Sequence, residues 1–226
     1  WSRLARYRSL KKPAISGRDA MMVAQASQMD DVARWTGKVA ELVKELERAR
    51  KKGIQAGEEG AARLMLAGSP IMFPNFKVPS IIEQSGGIIV YDELCSGHRL
   101  LSDPVLADEN SMSELLRAVA ERYFFPCSCP CFTPNDDRVN RLLEAVGEYR
   151  VEGVVFHVLR GCHLNHLEST KIEAALRKRE IPLVKLESEY DDGDVEQVRT
   201  RIEAFVEMLK ARRAFKRKKK GAGKTV

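Results

Sequence analysis

The sequence predicts an α/β fold, in which a doubly wound parallel sheet carries helices on both faces and is preceded by a helical segment. From about residue 60 onward, four short apolar runs alternate with amphipathic stretches of helical periodicity. The runs are apolar at consecutive positions, which is typical of strands buried on both faces. Strand–helix alternation of this kind indicates crossover units in a parallel sheet.

Residues 1–58 are predicted to be a helical linker or interdomain segment. In "DDVARWTGKVAELVKELERARKKG" apolar residues recur at helical spacing, Asp30 or Asp31 is placed to cap the start, and Gly53 is suited to the end. The expected buried face of this helix consists of Val32, Trp35, Val39, Leu42, Val43 and Leu46.

Residues 59–210 are predicted to form a flavodoxin-like α/β domain. "TPNDDR" indicates a turn and a helix start capped by Asn135 or Asp136. Strands are expected in "ARLMLAGSP", "GGIIVYDELC", "VEGVVFHVLRGC" and "IPLVKLESEY". Helices are expected in "PSIIEQSGG", "SMSELLRAVAERYF", "LESTKIEAALRKRE" and "DVEQVRTRIEAFVEMLKARR", the last burying Ile202, Phe205, Val206 and Leu209.

The positive charge of the chain is concentrated at its end, where residues 211–226 are expected to be a basic disordered tail. Lys210 to Lys224 holds nine basic residues and no acidic one, so a net charge of +6 leaves −3 for the rest. Phe215 is the one aromatic residue among these charges, and we therefore do not expect nucleic-acid binding.

The start of the chain lacks targeting features. "WSRLARYRSLKK" has no apolar core of a signal peptide, and no apolar run in the sequence reaches the length of a membrane span. We expect a cytoplasmic protein without a membrane partner. Because the first residue is Trp1 and not Met, we also expect either a removed start or the C-terminal part of a longer protein.

Three of the five cysteines crowd into "PCSCPCF" at residues 126–132, while Cys95 and Cys162 each follow a predicted strand. Carboxyl ends of parallel strands share one edge of the sheet, so thiols at two strand ends and a thiol-rich loop are expected to meet there. Without secretion features, a disulfide framework is not expected.

Spacing alone leaves the use of these thiols open. Structural zinc usually takes paired cysteines two to four residues apart, and redox disulfides usually show C-x-x-C at a helix start; neither pattern is present. Iron–sulfur clusters need thiolates that converge from several loops, which fits single distant cysteines plus a loop. An iron–sulfur cluster, zinc and passive buried thiols all remain possible on this ground.

Four motifs carry a family resemblance over roughly residues 60–209: "GGIIVYDELCSGHR", "AERYFFPCSCPCFTPNDDRV", "VEGVVFHVLRGCHLNHLES" and "IPLVKLESEYDDGDVEQVRTRIEAFVEML". In content and order they resemble the 2-hydroxyacyl-CoA dehydratase and benzoyl-CoA reductase superfamily. Within it, the chain is most similar to the double-cubane cluster proteins.

The resemblance implies an [8Fe–9S] double-cubane cluster with Cys95, Cys127, Cys129 and Cys162 as ligands. The remaining ligands would belong to a preceding α/β domain of similar fold, which this chain is expected to lack. Cys131 departs from the family loop, so we interpret it as a spare thiol or as a sign of a different loop register.

The implied function is an iron–sulfur reductase or dehydratase component. It would take low-potential electrons from an ATP-hydrolysing iron–sulfur activator and reduce a small-molecule substrate, as a homodimer or a heterodimer with a similar subunit. One alternative is a 2-hydroxyacyl-CoA dehydratase subunit with one [4Fe–4S] cluster and a CoA thioester substrate. Another is a scaffold domain without a cluster.

Several polar residues lie close to the cysteines in sequence. His163 is expected either to donate a proton or a hydrogen bond at the cluster, or to satisfy a loop carbonyl. Glu168 is interpreted as a helix-dipole residue in the first turn. Arg99 and Arg160 are expected as cations near the cluster or as surface salt bridges, and His157 as a core residue.

Overall fold

The computed structural model describes residues 1–124, 129–132 and 134–222. Within them, helices and strands alternate along the second part of the chain, as the sequence predicts. The elements are α1 Ser2–Ser9, α2 Gly17–Ala26, α3 Val32–Lys51, β1 Ala62–Gly68, α4 Lys77–Gln84, β2 Gly87–Asp92, α5 His98–Leu101, α6 Met112–Phe124, α7 Asp136–Glu148, β3 Gly153–Leu159, α8 His163–Arg177, β4 Leu183–Ser188 and α9 Val195–Ala222.

The described strands form one sheet of order β2-β1-β3-β4, and every pair is parallel. The end of β1 lies very close to β3: a Cβ atom on Gly68 would sit 1.9 Å from the His157 carbonyl oxygen. Gly68 also has a φ of +108°, a backbone conformation that favours glycine. The predicted doubly wound α/β class is confirmed.

Helices cover both faces of the sheet because successive strand side chains point to opposite sides. Leu64 and Leu66 of β1 pack with α4 and α9, whereas Met65 and Ala67 pack with α7 and α8. Burying a side chain such as Leu66 stabilises the fold by roughly 1.5–3 kcal/mol. The predicted inner face of α9 is confirmed, with Ile202, Phe205, Val206 and Leu209 all buried.

The first three helices form a separate apolar cluster and lie against the β2 edge of the sheet. Arg8 of α1 forms an ion pair of 2.7 Å with Asp92 at the end of β2, and neither side chain is exposed. Gly17 allows α2 to approach the same strand, since a Cβ there would lie 2.3 Å from the Ile89 Cβ. The buried ion pair and this close approach both lie at β2, where the helical segment joins the sheet.

Helix α3 follows its predicted start. Asp31 accepts a hydrogen bond of 2.9 Å from the Arg34 amide, which satisfies one of the free N–H groups of the first turn. The expected inner face is confirmed in part: Val39, Val43 and Leu46 are buried, but Val32 is 71% exposed.

Helix α9 continues to Ala222, whereas the sequence predicts a disordered tail from residue 211. The proposed division into domains stays a prediction. Within the part of the chain that the structure describes, none of the helices combines the length and apolar character needed to cross a membrane.

Candidate functional site

Two predicted ligands lie at the carboxyl edge of the sheet. Cys95 follows the end of β2, and Cys162 follows the end of β3, where it occupies the N-cap position of α8. After β1 the chain first forms β2 on one side of β1, and it later forms β3 on the other side of β1. The ends of β1 and β3 therefore flank a topological switch point, the usual place for a ligand in such sheets.

The surroundings of Cys162 favour its thiolate form. Asn165 Nδ2 donates a hydrogen bond of 3.3 Å to the Cys162 Sγ from the first turn of α8. Burial acts to raise the pKa of this thiol, but hydrogen bonds from Asn165, Ser69 and Leu164 outweigh it and hold the pKa below its ordinary value. A lower pKa makes Cys162 a better metal ligand at neutral pH.

The cysteine-rich loop supplies two described thiols. Cys129 is half-buried and Cys131 is exposed, in a turn where the Phe132 amide donates 3.2 Å to the Cys129 carbonyl oxygen. A hydrogen bond with Cys129 is the main cause that raises the pKa of Cys131. The predicted ligand Cys127 lies outside the described residues.

Thiols from the three segments lie close enough to affect one another's ionisation. Cys95 is exposed, yet its pKa is raised, first by the desolvation that neighbouring atoms cause and then by Cys129, while Arg99 opposes the shift. The pKa of Cys131 is raised in part by Cys162. The structure thus places the cysteines of β2, β3 and the loop in one region.

The donor chemistry of this region fits an iron–sulfur cluster, which thiolates from separate loops hold. Cys95, Cys129 and Cys162 are thiols from three separate segments; the pKa of Cys162 is lowered, whereas the pKa of Cys95 is raised. Among the residues that the structure describes, no three His, Cys, Asp or Glu side chains are close enough together to hold a metal ion. What the described residues provide is a set of thiols at one sheet edge.

A buried ion network lies beside these thiols. Arg138 of α7 contacts Glu93 Oε2 through Nη2 at 2.8 Å and Glu168 Oε2 through Nη1 at 2.7 Å. The side chains of these three residues are at most 5% exposed. Arg99 Nη1 completes the network 3.3 Å from Glu93 Oε1. We call these four residues the Arg138 network.

The network corrects three expectations from the sequence. Glu168 is buried in the second turn of α8 and pairs with Arg138, so the helix dipole is not its main partner. The side chain of Asn135 does not cap α7; its Nδ2 donates 2.9 Å to Glu168 Oε1. Arg99 pairs with buried Glu93, whereas a surface salt bridge is one expectation from the sequence.

Arg138 and Glu93 are not predicted from the sequence as parts of this site. Both lie beside cysteine segments in the chain, Glu93 two residues before Cys95 and Arg138 soon after the loop. That proximity is the available signal, although charged residues beside a cysteine are common on protein surfaces. Burial is what distinguishes Arg138 and Glu93 from ordinary surface charges, and burial cannot be recognised from their place in the sequence.

The remaining predicted residues take different places. His163 is exposed at the first position of α8, close to Cys162, and its role stays a prediction. His157 is buried as expected, and its Nε2 lies 2.7 Å from Ser188 Oγ. Arg160 pairs with Glu187 and Glu189 at the surface, away from the Arg138 network.

A cavity of about 550 Å³ opens beside the network. The Tyr91 ring contacts the rings of His98 and Tyr149 in its wall, tilted by 49° and 55°, with ring centroids 4.7 and 4.8 Å apart. Burial lowers the pKa of His98 to about 4, so its ring is neutral at pH 7. Glu93 and Arg99 also line the cavity, and its volume suits a small molecule.

Fold and site together define a doubly wound α/β protein with thiols at the carboxyl edge of its sheet. The chain belongs to the 2-hydroxyglutaryl-CoA dehydratase D-component family, which it matches over residues 1–209. Members of that family are generally iron–sulfur proteins. The family resemblance predicted from the motifs is confirmed.

The chain is also similar to a curated protein named "Putative dehydratase subunit YjiM" from Escherichia coli (strain K12). The two are 33% identical over an alignment of 208 residues, which covers 88% of this chain and 51% of that protein. The chain therefore spans about half the length of the curated relative that it matches.

Proposed function

We propose that this chain is a cluster-binding part of a dehydratase-like iron–sulfur enzyme, with Cys95, Cys127, Cys129 and Cys162 as ligands. The observation that supports it most is that thiols from three separate segments share the switch-point edge of the sheet, within a family of iron–sulfur proteins. A bound cluster supplies one-electron transfer at low potential.

The residues of the chain would prepare the site for that group. Asn165 and Ser69 stabilise the Cys162 thiolate by hydrogen bonds. Arg99 lies near Cys95 and opposes the rise of its pKa. His163, exposed beside Cys162, is proposed to donate a proton or a hydrogen bond at the cluster edge.

The finer assignment has two forms. In the first, the cluster is an [8Fe–9S] double cubane with further ligands from a preceding α/β domain of similar fold, and an ATP-hydrolysing iron–sulfur activator delivers electrons for reduction of a small molecule. In the second, the protein is a 2-hydroxyacyl-CoA dehydratase subunit with one [4Fe–4S] cluster; the family description favours this form. In either form, the cavity of about 550 Å³ is our candidate for the substrate pocket.

The test is the iron and acid-labile sulfide content of protein purified without oxygen. About eight irons per cluster site support the double cubane, and about four support the single cubane. Cys95→Ala and Cys162→Ala are expected to lose most of the iron. Cys131→Ala is the matched control, since a spare thiol should leave the iron content unchanged.

Protein that is colourless, stable in air and free of iron and sulfide would overturn the proposal and favour the scaffold alternative. Full iron retention in both Cys95→Ala and Cys162→Ala would show that a cluster is held by other residues.

A further inference from the structure

The Arg138 network connects all three segments that carry cysteines. Glu93 lies in the segment after β2 that leads to Cys95, and Glu168 lies in α8, whose N-cap is Cys162. Arg138 lies in α7, the helix that follows the cysteine-rich loop. One guanidinium thus contacts both of the other segments, at 2.8 and 2.7 Å.

Stability alone does not account for this arrangement. Removing charged groups from water costs several kcal/mol per ion, and well-packed apolar residues of similar volume often stabilise a core at least as well. The Arg138 guanidinium donates a hydrogen bond to Glu93 and lies in ion-pair contact with Glu168. Neither an apolar side chain nor the single ammonium of a lysine holds two carboxylates at such fixed positions at once. The network therefore contributes orientation at the point where the segments meet.

We propose that Arg138 is a positioning residue that sets the spacing of the thiols by bridging Glu93 and Glu168. Asn135 supports it by donating 2.9 Å to the second oxygen of Glu168, which fixes the orientation of that carboxylate. The inference rests on the proposed function, because the spacing of the thiols matters for function only if the thiols hold one cluster together.

The spacing can be measured in the full chain without any metal. The probe is dibromobimane, a bifunctional alkylator that becomes strongly fluorescent when it joins two neighbouring thiols. One background retains Cys95 and Cys129 with the other cysteines changed to serine, and a second retains Cys131 and Cys162. In each pair the two thiols lie on different segments, and one thiol of the pair raises the pKa of the other.

We expect Arg138→Lys to lower the cross-linking rate about tenfold in both backgrounds, because a lysine cannot bridge the two carboxylates in a fixed orientation. Glu168→Gln, which retains the shape of the side chain, should lower it mainly for the Cys131–Cys162 pair. The rate of single alkylation by iodoacetamide corrects for any change in thiol reactivity.

Arg63→Lys is the matched control. Arg63 donates to the Tyr149 and Leu10 carbonyl oxygens from the second residue of β1, at the opposite end of the strand from the thiols. Its replacement should lower stability and leave cross-linking unchanged. Unchanged cross-linking in folded Arg138→Lys and Glu168→Gln would overturn the proposal, as would an equal loss in Arg63→Lys.

Cadmium binding to the unsubstituted chain, followed by thiolate charge-transfer absorbance, separates this inference from the proposed function. Rapid cross-linking that depends on Arg138, without cadmium binding by the thiols, would support positioning and contradict the ligand role. Cadmium bound through thiols with equal affinity in wild type and Arg138→Lys would support the ligand role and contradict positioning.

Discussion

Loss of the buried ion pair between Arg8 and Asp92 should be among the most destabilising single changes in the chain. Both side chains are fully buried and their nearest atoms are 2.7 Å apart. In Arg8→Met the carboxylate retains the amide of His98 as a donor at 2.7 Å but loses its counter-charge. Breaking such a pair from one side costs about 3–5 kcal/mol, a large share of the 5–15 kcal/mol that typical proteins possess.

The assay is urea unfolding followed by circular dichroism. With a slope of about 2 kcal/mol per molar urea, a loss of about 4 kcal/mol lowers the midpoint by about 2 M. The double variant Arg8→Met, Asp92→Asn should recover about 2 kcal/mol of the free energy of unfolding that Arg8→Met loses. The neutral amide needs no counter-charge, and its oxygen still accepts a hydrogen bond from the His98 amide. Arg6→Met, an exposed arginine of the same helix, is the control and should change stability by less than about 0.5 kcal/mol.

A cost below about 1 kcal/mol for Arg8→Met would refute this reasoning. So would strictly additive effects in the double-mutant cycle, since the two charges would then be independent of each other. Either result would mean that apolar packing alone holds the helical segment against β2.

Three further predictions concern the site. Gly97→Ala should destabilise the Cys95 segment by about 2 kcal/mol or more, measured by urea unfolding, because its Cβ would lie 1.8 Å from Asp92 Oδ1. His98 has a folded-state pKa of about 4, below its unfolded value of about 6.5, so its contribution to stability is present above pH 6.5 and is lost as the pH falls toward 4. His98→Phe should flatten that dependence, and an unchanged slope between pH 7 and pH 5 would contradict it. Asn165→Ala should raise the pKa of Cys162, seen as slower alkylation by iodoacetamide near neutral pH when the other cysteines are serine; an unchanged pH profile would count against the hydrogen bond.

Local patterns were sufficient to predict the strands, most of the helices and the edge at which Cys95 and Cys162 lie. Buried strands produce continuous apolar runs, and amphipathic helices produce apolar residues that recur every three or four positions. Both patterns are visible in short stretches of sequence. The carboxyl ends of parallel strands then lie together as a matter of topology. The pattern of strands is therefore sufficient to place Cys95 and Cys162 at the same edge of the sheet.

The tertiary structure decided which charges are buried and which residues they meet. Arg138 and Glu93 are 45 residues apart, and Arg8 and Asp92 are 84 apart, so no periodicity or spacing rule relates them. The same holds for Asn135, whose local sequence predicts a helix cap but whose side chain binds Glu168. Sequence by itself determined the sheet and the edge that carries the thiols, because these depend on local apolar patterns. Only the folded chain determined how that edge is held, because buried ion pairs depend on desolvation and on contacts between distant segments.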